Sequence, residues 1–200
     1  MNIISNCCLG GFITRDVLHE PFSNPFVWAW LTTEDVCHTI QHYTNINFRN
    51  FRIKPHHDEI VEDCYFDVLV DNQITIVNSH YRFNSNYKTE FIDKQRNIVE
   101  SDHIWEYVVN KYIERVKRME QIHEQPVFIL CDNRNGCGIF TESQIKLLAS
   151  QHLYKVVFCS EYDYSNYSSN MFCFIHKNGN LLHEIVQEQS ETIKDFILPI

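Results

Sequence analysis

Two short apolar runs with a helix-sized segment between them constrain this chain more than any other feature. Val127-Phe128-Ile129-Leu130 and Lys155-Val156-Val157-Phe158-Cys159 show little polar–apolar alternation, the pattern of strands buried on both faces of a parallel sheet. The first run ends in a polar, glycine-containing loop from Cys131 to Gly138. Thr141 then caps a helix carrying Glu142, Ile145, Leu147, Leu148 and His152. A strand–loop–helix–strand unit over 127–159 predicts a parallel pair joined by a right-handed crossover. Open sheets of this kind bind ligands at the carboxyl ends of their strands, so those ends are where chemistry is sought.

Other segments fit around this unit. Residues 2–6 read as a short buried strand and residues 9–18 as a helix opening on Gly10 and Gly11, where backbone must approach something closely. Thr32 or Thr33 caps a helix to about Tyr43, with Val36, Ile40 and Tyr43 as its apolar stripe. Asn45 to Lys54 alternates loosely and is broken by Pro55. Residues 65–70 and 73–77 flank Asp71-Asn72 as a β-hairpin without the usual glycine. Asn84 to Arg96 reads as a polar loop. Ser101 to about His123 is a helix, with Ile104, Val108, Tyr112, Val116 and Met119 on its apolar face and Glu114, Arg115, Lys117 and Arg118 on its solvated one. Residues 171–175 and 181–185 flank a Lys-Asn-Gly-Asn turn and read as a second hairpin, before a short amphipathic helix over 190–196. The expectation is one α/β domain over 1–200: a three-layer, Rossmann-like or esterase-like arrangement with a central, largely parallel sheet plus two β-hairpins.

The formal net charge of −9 disfavours a general nucleic-acid binder, which presents a basic face. No apolar stretch is long enough for a membrane span, and Met1 to Leu9 lacks a signal peptide's basic start, so a soluble, cytoplasmic chain is expected. In that compartment the eight cysteines are mostly reduced. They form no paired CxxC spacing, so neither a metal nor a cofactor is expected, and the expected partner is a small-molecule, glycan or acyl substrate. Nothing in the sequence sets the oligomeric state.

Cys7-Cys8, at the end of the first strand, carry the most specific chemistry. A thiol beside the backbone N–H groups that open a helix has its thiolate stabilised. Cys8 is the preferred nucleophile, Cys7 the neighbouring alternative, and a buried, inert thiol pair the plain one. His80, at the end of the hairpin strand, has the type of a general base, and Asp132 that of its orienter. Ser5, Asn6 and Gly10 would shape a substrate pocket with Trp28 as its apolar wall, and Arg82 or Arg134 suits a carboxylate or phosphate. A non-catalytic domain that binds a glycan or nucleotide-sugar is the second reading, and a structural partner in a surface-polysaccharide assembly the third.

The order Ile4-Ser5-Asn6-Cys7-Cys8-Leu9-Gly10-Gly11, Ser23-Asn24-Pro25-Phe26-Val27-Trp28, Ser79-His80-Tyr81-Arg82-Phe83 and 111–119, followed by the strand from Val127, resembles a bacterial family of unknown function labelled papain-like cysteine peptidases. The opening also resembles uncharacterised proteins of exopolysaccharide loci. The resemblance aligns the family cysteine with Cys8 and its histidine with His80. It finds Val27 and Tyr81-Arg82 where the family carries acids, leaving Asp132 as an inferred substitute. By analogy it implies thiol-dependent hydrolysis or acyl transfer on a sugar or lipid-linked sugar. A papain-like enzyme sets its cysteine on a long central helix, whereas here a strand–turn–helix start is expected.

Overall fold

Strand pairing sorts the chain into a parallel sheet and two antiparallel ones among the described residues. The computed structural model describes residues 1–19, 24–55, 66–78, 82–83, 90–92, 98–100, 104–132, 138–175 and 182–198. β1 (Ile3–Ser5) turns into the one-turn helix α1 (Leu9–Phe12), which continues as a π-helical turn over Ile13–Val17. The widening has a local cause: Thr14 Oγ1 donates back to Gly10 O at 2.6 Å, and Leu18 N reaches five residues back to Ile13 O at 3.0 Å. β2 (Ala29–Trp30) leads to α2 (Thr33–His42), which Thr32 caps by accepting from Asp35 N at 3.1 Å.

β3 (Phe51–Pro55), β4 (Phe66–Val70) and β5 (Ile74–Asn78) join β2 in an antiparallel sheet ordered β2-β5-β4-β3. Pro55 does not break β3 but ends it, on the sheet's edge, where a missing N–H is tolerated. The expected hairpin is present. Asp71 and Asn72 both take left-handed backbone, with φ of 52° and 55°, the turn that matches strand twist. Glycine is dispensable there because Asp71 is tied down: its carboxylate accepts from Asn50 Nδ2 at 2.8 Å and Asn47 N at 3.2 Å. Those bonds hold its carboxyl below the usual range.

β6 (Arg82–Phe83), β7 (Glu90–Ile92) and β8 (Ile98–Glu100) form a small antiparallel sheet. The expected polar loop from 84 to 96 therefore contains a strand, β7. Its three residues are too few to leave an alternation signal. α3 (Ile104–Glu120) follows, with Tyr112, Arg115, Val116 and Met119 buried. Arg115 thus leaves the solvated face it was assigned; it lies three residues after Tyr112, on the same side of the helix.

The unit that opened the sequence reading is present as β9 (Val127–Cys131), α4 (Glu142–Ser150) and β10 (Lys155–Ser160). β9 and β10 pair in parallel, and Thr141 and Gln144 cap α4 reciprocally. β11 (Met171–Ile175) adds in parallel to β10. The expected second hairpin is absent: residues Leu182–Glu188 are a helix, α5, followed by α6 (Ser190–Ile197). Ile185 of α5 and Ile193 and Ile197 of α6 are buried in one core cluster, and packing there overrides the β-branched composition.

The parallel sheet runs in the order β1-β9-β10-β11. Strand alternation splits its side chains between two cores. Ile4, Phe128, Leu130, Val156 and Phe158 face α2, α3, α4 and the antiparallel sheet of β2 to β5. Ile3, Val127, Ile129, Val157 and Phe174 face α1, α5 and α6. The chain is therefore a mixed α/β fold. Its four parallel strands add in one direction without reversal, so they do not contain the switch of strand order that makes the nucleotide crevice of a doubly wound sheet.

Burial in the first core sets an alkaline limit on stability. It pushes the Cys37 thiol from 9.0 up to about 11 and the Tyr43 phenol up to about 12. An acid whose folded pKa is raised contributes stability that is whole below its unfolded value and is lost as pH rises through the folded one. The urea midpoint should fall between about pH 9 and 11, and Cys37→Val should flatten the first part of that fall. An unchanged profile in the variant would contradict the assignment.

Candidate functional site

All four parallel strands end at one edge, where several of the candidate residues lie. Cys8 follows β1, Asp132 follows β9, and Ser160 ends β10. The turn after β1 is built by its own side chains. Ser5 Oγ donates to Cys7 O at 2.9 Å and accepts from Gly10 N at 3.2 Å. Gly10 is required because a Cβ there would lie 2.5 Å from Ser5 Cβ. Gly11 is required because a Cβ would lie 2.2 Å from the Trp28 ring.

Asn6 does something different. Its Nδ2 donates to Cys131 O at 2.9 Å and its Oδ1 accepts from Cys131 N at 2.8 Å. Ser5 is the last β1 residue paired with β9, opposite Ile129, and Cys131 is the next residue of β9 to face the same way. The Asn6 amide therefore supplies the rung that β1 would have made had it continued. The side-chain amide suits this because it carries its donor and acceptor on separate atoms, as a peptide unit does.

The two adjacent thiols separate clearly. Cys7 is fully buried, and its sulfur accepts from Leu9 N at 3.4 Å. Cys8 is half-buried, at the N-cap of α1. Among the described cysteines, Cys173 is the other that is not buried. Burial raises its pKa, and its thiol donates to Tyr162 O at 3.3 Å, so it is held protonated.

Asp132 is buried, and both of its carboxylate oxygens are engaged. Oδ1 accepts from Phe140 N at 2.8 Å and Oδ2 from Ser160 Oγ at 3.0 Å. These bonds pin the return of the loop after β9 to the end of β10. Tyr164, in the connection after β10, has its phenol pushed up by burial and then by the nearby Asp132 charge. Tyr162 and Tyr167, in the same connection, are exposed.

Trp28 has φ of 64°, and its half-buried ring stands edge-on to Phe12 at 5.1 Å, over Gly11 of α1. The Arg15 guanidinium lies 5.8 Å from the Trp28 ring centroid. β2 joins this corner to the hairpin: Leu31 N donates to Asn6 O at 3.4 Å, and Ala29 pairs with Asn78, two residues before His80.

Ser5, Asn6, Cys8 and Gly10 thus share one turn, with Asp132 one strand away and Trp28 packed against the following helix. Ser5, Asn6 and Gly10 are buried, and the hydrogen bonds from Ser5 to Cys7, from Gly10 to Ser5 and between Asn6 and Cys131 lie inside the fold. Arg82 is described only by its backbone, in β6 beside β7. His80 and Arg134 lie outside the described residues. The sequence reading missed Asn24, whose side chain donates to Ile3 O at 2.7 Å and accepts from Phe26 N at 2.9 Å. Its position before Pro25 was the available signal.

Among the described residues no cluster of three or more His, Cys, Asp or Glu could hold a metal ion, and no helix is long and apolar enough to cross a membrane. No family model, curated protein or solved structure matches the chain.

Proposed function

We propose that this chain is a cysteine-dependent hydrolase or acyltransferase acting on an acyl group, with Cys8 as nucleophile. The observation that carries the reading is the division of labour at the turn. Cys7 is sealed in the core, while Cys8 is left half-open at the carboxyl edge of the parallel sheet. In the reaction, His80 takes the Cys8 proton and the sulfur attacks the acyl carbon. N–H groups of the turn hold the oxyanion, and His80 returns the proton to the leaving group. Water, or an acceptor hydroxyl, then releases the acyl group from sulfur. His80 lies outside the described residues, and its role as base is carried by its residue type alone. Resemblance to the exopolysaccharide-locus proteins suggests an acylated sugar as substrate.

The test is acyl trapping. After incubation with p-nitrophenyl acetate, peptide mapping should find an acetyl group on Cys8. Cys7→Ser should retain it, Cys8→Ser should lose it, and His80→Ala should slow its formation by about 100-fold, the scale of general-base assistance. Acetylation spread evenly over the exposed nucleophiles of the chain, unchanged in Cys8→Ser, would sink the proposal.

A second reading, a non-catalytic glycan-binding domain, is favoured by one observation. The Asp132 carboxylate already serves Phe140 and Ser160, and Tyr162 stands exposed just after β10. That reading predicts no acyl-sulfur adduct.

A further inference from the structure

β11 is an edge of the parallel sheet: among the described residues it pairs with β10 and with no other strand. Val156 N donates to Asn170 O at 2.9 Å, which together with the parallel register sets the phase of the ladder. Phe172 and Phe174 turn their backbone N–H and C=O groups toward β10. Cys173 and Ile175 turn theirs outward, where no bond from a described residue reaches them. The Met171 N–H also points outward and is satisfied within the chain by Ser168 O at 3.2 Å, which leaves its C=O open. Ile175 is 58% exposed, so this end of the edge is in the open.

Two other edges are blunted. β1, on the far side of the same sheet, is buried: Asn24 Nδ2 donates to Ile3 O at 2.7 Å, and Leu31 N to Asn6 O at 3.4 Å. β3, an edge of the antiparallel sheet, carries Arg52, Lys54 and Pro55, residue types that discourage a further strand. β11 reads Met-Phe-Cys-Phe-Ile, with neither charge nor proline. An apolar edge without such protection is a template for another strand. Its sequence also points to which strand. Outward from Cys173 it is symmetric in kind, with a phenylalanine on each side and then a large aliphatic side chain, Met171 or Ile175. A two-fold, self-complementary contact needs this symmetry, because each residue before the axis meets the one equally far after it.

We infer that two copies of this chain pair antiparallel through β11, about a two-fold axis at Cys173, into one continuous sheet. Cys173 exchanges both of its backbone bonds with the partner's Cys173, and the Ile175 N–H donates to the C=O of the partner's Met171. On one face Phe172 stands opposite the partner's Phe174, an aromatic cross-strand pair. On the other, Ile175 stands opposite the partner's Met171, which covers its exposed side chain. β1 and β11 are opposite edges of the sheet, so the contact leaves the Cys8 turn free.

The test is sedimentation velocity and amide hydrogen exchange on the full chain. At about 200 μM the natural chain should sediment as a dimer, and dilution should dissociate it by mass action. Ile175→Lys, at an exposed position, sets a cation opposite the partner's Met171. It should raise the dissociation constant about tenfold per copy, about a hundredfold per dimer. Cys8→Ala should leave the constant unchanged. In the natural chain, dilution from about 200 to about 2 μM should speed exchange of the Cys173 and Ile175 amides at least about tenfold, while the Phe172 and Phe174 amides, bonded within the chain, stay protected. The inference is overturned if the chain is a monomer at the higher concentration, or if Ile175→Lys dimerises as well as the natural chain. It is also overturned if exchange at Cys173 and Ile175 does not respond to concentration.

Discussion

Asn6→Leu is expected to destabilise the chain by about 3–4 kcal/mol, since two buried groups each lose a hydrogen bond at about 1–3 kcal/mol apiece. The residue is close in volume, so cavity formation contributes little. What is lost is the side-chain rung: Cys131 N and Cys131 O, both buried, face an isobutyl group instead of an amide. Against a total stability of about 5–15 kcal/mol this is a large fraction. Asn6→Asp should be no better, because a carboxylate accepts from Cys131 N but opposes Cys131 O. A denaturant midpoint close to that of the natural chain in both variants would show that the rung is dispensable.

Gly11→Ala should destabilise by about 2–3 kcal/mol, the scale of core overpacking. The added methyl would sit 2.2 Å from two carbons of the Trp28 ring. That ring has little room to retreat, being braced edge-on by Phe12 and held by left-handed backbone at its own residue. Helix propensity works the other way, favouring alanine by about 1 kcal/mol. The two effects separate in a double-mutant cycle. In a Trp28→Ala background the clash disappears, and Gly11→Ala should become stabilising. A destabilisation of equal size in both backgrounds would mean that Trp28 is not what excludes the methyl.

How far the sequence could be read depended on the range of the interactions concerned. β9 and β10 were legible because strands buried on both faces need continuous apolar runs, and α4 because Thr141 and Gln144 cap it locally. The Asp71-Asn72 hairpin was legible from its flanks, but what replaces glycine there was not, since Asn47 and Asn50 lie some twenty residues away. α5 was misread as a strand because Ile185 and Val186 pack against α1 and the π-helical turn, a contact no local pattern reveals. At the site, the strand–turn–helix around Cys8 and the need for Gly10 and Gly11 were readable. The rung made by Asn6 was not, because it joins residues 125 positions apart. Asp132 was chosen by residue type alone, and its two committed oxygens depend on Phe140 and Ser160 coming together in the fold.

Whether Cys8 is a nucleophile is tested most directly by its alkylation rate. With iodoacetamide at about pH 6.5, some two units below an ordinary thiol pKa, an activated cysteine is already substantially thiolate. The account predicts that Cys8 in the folded chain reacts at least about tenfold faster than the same cysteine in an unfolded peptide of residues 1–19, while Cys7 is protected. A Cys8 rate at or below that of the peptide would contradict it.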